Sequence, residues 1–162
     1  MLEGDLSRER LGLPGYPAVT ARFFLDWAVG ELGRFDEAIA DGQDGLRLAE
    51  ALDHPYSQAA MCSALGYLHT TRGELGDGIR LLERGVALSR EWNLPIYSVR
   101  NTGLLDYAYA LAGRVPEGIS SLERGLRASE TMGFRAVQPF FMAYLGETYI
   151  LADGVANSPG EL

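Results

Sequence analysis

Few residues in this chain could do chemistry, and their spacing argues against it. There is one cysteine, Cys62, and there are two histidines, His54 and His69. Cys62 and His69 lie seven residues apart, two turns along one helix face. That spacing is wide for a shared ion, and zinc wants three or four ligands. No further Cys and no matching His completes a set, so neither a metal nor another cofactor is implied. His54 precedes Pro55 and reads as a capping or surface residue. Ser, His and Asp residues are scattered without a nucleophile motif, and no phosphate-cradling loop is present. The pattern points to binding and not to an enzyme.

The elements that carry these residues repeat. Glu31-Leu32-Gly33-Arg34-Phe35-Asp36-Glu37-Ala38-Ile39 aligns with Thr71-Arg72-Gly73-Glu74-Leu75-Gly76-Asp77-Gly78-Ile79 and with Leu111-Ala112-Gly113-Arg114-Val115-Pro116-Glu117-Gly118-Ile119. Gly33, Gly73 and Gly113 are 40 apart, as are Gly45, Gly85 and Gly125, and Leu25, Leu65, Leu105 and Leu145. A fixed period of this length marks stacked units, none of which can bury its apolar face alone.

Each unit reads as two helices joined at the glycine, which favours the left-handed conformation that ends a helix. Helices are predicted over 17–32, 35–52, 56–72, 75–92, 96–112, 115–132 and 136–152. Asp53-His54-Pro55, Asn93-Leu94-Pro95 and Gly133 close the units, because proline lacks an amide donor and clashes inside a helix. The fold class is therefore all-α, a right-handed α-solenoid of about seven helices in antiparallel pairs. The organisation is a lead-in at 1–16, with a short helical piece as one option, a repeat domain at 17–155 and a tail at 156–162. The units are 17–55, 56–95 and 96–135, with a half unit at 136–155. A further second helix is due at Val155 but the sequence stops, so the expectation is a piece of a longer array or an array ending on a half repeat.

Bulk properties narrow the partners. The 162 residues are 47% hydrophobic and 22% charged, ordinary for a globular domain, with a net charge of −8. An acidic surface repels phosphate backbones, which argues against nucleic acid. No run approaches the roughly 18 apolar residues of a membrane span. A lone thiol cannot form an internal disulfide, and the first ten residues do not form a signal peptide, so a cytoplasmic location is expected.

These columns resemble the tetratricopeptide repeat (TPR), in its variants with a period near 40 and longer helices. Gly33-Arg34-Phe35-Asp36-Glu37-Ala38-Ile39 is close to that repeat's turn and second-helix start. More narrowly, Ala49–Ser57, Leu81–Pro95 and Tyr107–Val115 resemble repeat arrays at the C-terminus of large bacterial signalling proteins. Those carry class III adenylate or guanylate cyclase and ATPase domains, and similar arrays follow ATPase domains in bacterial transcriptional regulators.

The resemblance implies that the first helix of each pair lines a concave groove. It puts the column Trp27, Tyr67, Tyr107, Glu147 on that groove, with the columns Thr20, Ala60, Arg100, Phe140 and Phe23, Ser63, Gly103, Ala143. One reading is a peptide- or helix-binding strip, since amphipathic rings suit interfaces. The other is that the rings fill space between helices. Asp26 and Asp106 replace the usual glycine of their column, with Arg22 and Arg100 as candidate partners; an ion pair or a solvated side chain is the favoured reading. The pairs Glu83-Arg84 and Glu123-Arg124 read as a solvated outer face.

The function expected is a protein-interaction module within a bacterial signalling protein. The alternative is a small-ligand or peptide sensor controlling a cyclase or transcriptional output domain. An open groove favours a polypeptide and a closed pocket a small ligand. Ile39, Ile79 and Ile119 are expected to be buried against Leu25, Leu65 and Leu105 of their own units. The last helix, with Phe140, Phe141, Tyr144, Leu145, Tyr149, Ile150 and Leu151, is apolar on more than one face and is expected to leave a patch for a symmetric homodimer or other partner.

Overall fold

A computed structural model describes residues 9–156 of the chain, and every regular element among them is helical. In order these are α1 (Pro17–Glu31), α2 (Phe35–Ala51), α3 (Pro55–Arg72), α4 (Leu75–Glu91), α5 (Pro95–Leu111), α6 (Val115–Thr131), a 3-10 turn (Arg135–Val137) and α7 (Gln138–Ala156). The tail falls almost wholly outside the described residues, as does the start of the lead-in. Residues 11–15 of the lead-in form turns and not a helix.

Two kinds of joint set the path of the chain. Within each pair, Gly33, Gly73 and Gly113 take φ of 77°, 91° and 96°, which a residue with a Cβ adopts only with strain. The chain reverses there through two backbone bonds, such as Glu74 N–H to His69 O at 2.8 Å and Gly73 N–H to Thr70 O at 3.1 Å. Between pairs the left-handed residue is Asp53, Asn93 or Gly133, with φ of 45°, 48° and 72°. Asp and Asn tolerate that region better than other side chains. Pro17, Pro55 and Pro95 then open α1, α3 and α5, where a missing amide donor costs little. His54 caps α3 by accepting the Ser57 N–H at Nδ1, 3.3 Å away.

The fourth joint does not form. Asp153 stands one period after Gly113, and α7 runs through it to Ala156. An aspartate fits a helix interior more readily than the φ near 90° its column requires elsewhere.

The helices stack in two layers. α1 packs on α3, α3 on α5 and α5 on α7, while α2, α4 and α6 lie against their sequence neighbours without comparable lateral packing. The first layer is therefore the inner wall of a solenoid and the second its outside.

The packing corrects the expected isoleucine contacts. Ile39 clusters with Leu65 and Leu68, Ile79 with Leu104 and Leu105, and Ile119 with Leu122 and Leu145. Each isoleucine thus meets the leucine of the following unit, so the core is shared between units. Leu65 and Leu145 are buried, whereas Leu25 is 47% exposed because no outer-layer helix precedes α1 among the described residues. Ile39 is buried, and Ile79 and Ile119 are half-buried. The outer-layer glycines permit close approach: a Cβ at Gly85 would lie 2.7 Å from Asn101 Nδ2, and one at Gly125 2.5 Å from Phe141 Cε1.

Candidate functional site

The inner layer holds an aromatic cleft of about 690 Å³. Its floor comes from α3 and α5, which contribute Tyr67 and Tyr107, one period apart on equivalent helix faces. α1 supplies Trp27 and Glu31, one turn apart, as one side. α7 supplies Phe140, Tyr144 and Glu147 as the other. Glu31, Thr71, Gly73, Ala143 and Glu147 are exposed, so the cleft opens to solvent along its rim.

Polar contacts fix the side chains. The Tyr67 hydroxyl donates to Glu31 Oε1, and Trp27 Nε1–H donates to the same oxygen at 3.0 Å. The Tyr107 hydroxyl donates to Glu147 Oε2 in the same manner. Burial, and then the facing carboxylate, push both phenols above their ordinary range, so they stay donors at neutral pH. Tyr107 and Tyr144 stack with centroids 4.6 Å apart and planes 16° from parallel.

One end of the cleft is walled by rings from opposite ends of the solenoid. Trp27 of α1 meets Phe140 of α7 at 5.1 Å between centroids. Behind them lies Arg100 of α5, its Cζ 4.6 Å from the Trp27 centroid, 5.3 Å from that of Phe140 and 5.0 Å from that of Phe23. Its Nε–H donates to Ser63 Oγ at 3.0 Å. Burial lowers its pKa from the ordinary value, but a guanidinium keeps its charge. Arg100 therefore holds the wall together and does not line the cleft.

Of the residues placed on the groove from sequence, Trp27, Tyr67, Tyr107, Phe140 and Glu147 line this one cleft. The flanking columns mostly do not: Phe23, Ala60, Ser63 and Gly103 are buried where inner helices touch, while Thr20 is exposed and Ala143 lies on the cleft. Glu31 and Tyr144 were not anticipated. Glu31 has no counterpart in the next units, where its column reads Thr71 and Leu111; its signal is the four-residue spacing from Trp27.

No protein-family model matches the chain, and no curated protein matches it. Solved structures do. The nearly identical TPR-like repeats of a Podosopora anserina protein assigned to the kinesin light chains align at a TM-score of 0.57 and 19% identity, over 88% of this chain and 70% of that one. A single-substitution variant of that protein aligns at 0.59 and 20%, over 89% and 70%. The fold is a TPR-like α-solenoid. At this identity the likeness concerns fold alone.

The remaining polar clusters serve the scaffold. His69 pairs with Glu74 at 2.6 Å, Arg72 with Glu74 at 3.2 Å and Arg80 with Asp77 at 2.8 Å. His69, Glu74 and Asp77 lie close enough to share an ion, but these pairings already engage each of them. Cys62 is fully buried, and burial pushes its thiol up to about 11, which leaves it inert.

Asp26 departs from both an ion pair and a solvated side chain. It is 1% exposed, and no donor reaches either carboxyl oxygen. Arg22 pairs instead with Asp41, at 3.3 Å. Burial, and then the Asp41 carboxyl facing it, push Asp26 up to about 8. At neutral pH Asp26 therefore keeps its proton. Asp106 faces Ser121 and Arg124, not Arg100, and burial raises its pKa. The outer glutamates are likewise engaged: Tyr109 donates to Glu83 at 2.6 Å and Tyr149 to Glu123 at 2.8 Å, equivalent bonds one period apart.

Proposed function

We propose that this chain is a non-enzymatic interaction module that binds a peptide or helix of another protein in the Trp27–Tyr67–Tyr107–Phe140–Glu147 cleft. The observation that carries the reading is that amphipathic rings from four inner helices converge on one cleft that is open along its rim. Large rings lose little entropy on binding and bury much area, which is why they dominate interface energetics. The open rim favours a polypeptide over an enclosed small ligand.

On the sequence resemblance, the module belongs to a bacterial cytoplasmic signalling protein, where occupancy of the groove would report to an attached output domain. α7 extends the reading to self-association. Met142, Tyr149 and Ile150 are 63%, 45% and 73% exposed, and a Cβ at Gly146 would meet nothing. A second copy packed there would cover this face.

Peptide-phage selection on the wild type, counter-selected on a Tyr67→Ala/Tyr107→Ala variant, tests the groove. The expected result is peptides whose affinity falls by more than about 2 kcal/mol in the variant, a hot-spot-sized loss. Peptides that bind both proteins equally would place recognition elsewhere.

A further inference from the structure

The cleft has a charge character that its rings alone do not explain. Glu31 and Glu147 stand on its two sides, and both are exposed. Tyr67, Trp27 and Tyr107 hold them in place through neutral donors. Neither forms an ion pair, although other carboxylates of the described residues do, including Asp36, Glu50 and Glu117. Both raise the pKa of the same phenol, that of Tyr144, so their fields converge inside the cleft. Arg100 is the opposing charge. It sits behind Trp27 and Phe140 and outside the lining. Two carboxylates against one guanidinium leave the cleft negative, in a chain of net charge −8.

Resting on the groove reading above, we infer that the occupant is a basic segment of a partner protein, with a lysine or arginine side chain seated between Glu31 and Glu147. The chemistry fits on three counts. The aromatic walls take the apolar stem of a long basic side chain, which favours burial along a nonpolar surface. The ring faces attract its charge. The two carboxylates accept its donors without moving, since their tyrosines already orient them. An acidic segment meets the opposite: two fixed like charges, with the Arg100 guanidinium covered by rings.

The peptides selected on the groove read this out directly. Those lost in the Tyr67→Ala/Tyr107→Ala variant should be enriched in lysine or arginine. A chosen peptide, remade with glutamate at each basic position, should lose binding. Glu31→Gln/Glu147→Gln keeps the tyrosine acceptors and removes the charge. It should weaken the basic peptide tenfold or more at low salt, and added sodium chloride should weaken the wild type far more than this variant. Glu147→Lys, at an exposed position, is a second variant and should abolish binding while circular dichroism shows the helical fold retained.

Groove-dependent peptides without basic enrichment, or equal affinity in the double glutamine variant, would overturn the basic assignment and leave the groove reading standing. Spermidine competing as strongly as the peptide would overturn the protein partner in favour of a free amine. An absence of groove-dependent peptides would overturn both readings.

Discussion

Asp26 shows at the residue scale how a repeat can carry an exception. Gly66, one period on, lets Leu82 close against α3, with a Cβ–Cγ separation of only 2.5 Å if a Cβ were added. At Asp26 the space is filled by a carboxyl lying over Gly42, 3.1 Å from where its Cβ would be. The carboxyl stays neutral because burial and Asp41 oppose its charge, raising its pKa from 3.8 to about 8. The folded chain therefore holds a proton that the unfolded chain releases near pH 4. Between pH 4 and 8 the unfolded state binds fewer protons, so stability falls as pH rises through that window. Asp26→Asn keeps the shape and removes this slope. It should melt several degrees above the wild type at pH 8, since about 1 kcal/mol corresponds to roughly 2–4 °C at this size, and the gap should shrink toward pH 4. A wild-type melting temperature that is level across the window would contradict a proton retained on Asp26.

The repeat unit is the relevant element, and its apolar face belongs to its neighbour. Leu25, Leu65 and Leu105 occupy one column, yet Leu65 is 1% exposed and Leu25 47%. Leu65→Ala should cost about 2–5 kcal/mol, the range for emptying a buried aliphatic site. Leu25→Ala should stay within about 0.5 kcal/mol of the wild type. Equal losses in urea denaturation would mean that units bury their own leucines. The helix boundaries were legible because glycine, asparagine, aspartate and proline impose local backbone rules that neighbours do not alter. Residues 33, 53, 73, 93, 113 and 133 could be read one at a time. The isoleucine contacts were not, because a column shows which face is apolar and not which neighbour covers it. The joint due between residue 152 and Val155 was not legible for a related reason: the repeat predicted a turn, but α7 continues through Asp153.

The whole molecule closes on itself through curvature, a sum of small rotations between units that no single position encodes. Trp27 and Phe140 are more than a hundred residues apart in the chain, yet their rings touch. That contact, and the gathering of Glu31, Tyr144 and Glu147 into one cleft, lay beyond the sequence for this reason. The aromatic column itself was visible because it recurs at the period. Ile150→Lys tests the open α7 face at the same scale. If a second copy covers it, light scattering should show a dimer for the wild type at high concentration and a monomer for the variant. A wild-type monomer at all concentrations would leave this face without a self-partner.

The central claim is that a protein segment binds in the inner cleft, and the chain contains a probe for it. It has two tryptophans. Trp27 lies in the cleft with its indole N–H on Glu31, and Trp92 lies on the outer turn after α4, 56% exposed. Indole N–H resonances can be followed by NMR while a groove-selected peptide is titrated into the isotopically labelled protein. Occupancy of the cleft predicts that the Trp27 resonance shifts and saturates with the affinity measured independently, while Trp92 stays in place. A peptide that binds with the same affinity but leaves Trp27 unmoved would contradict the account.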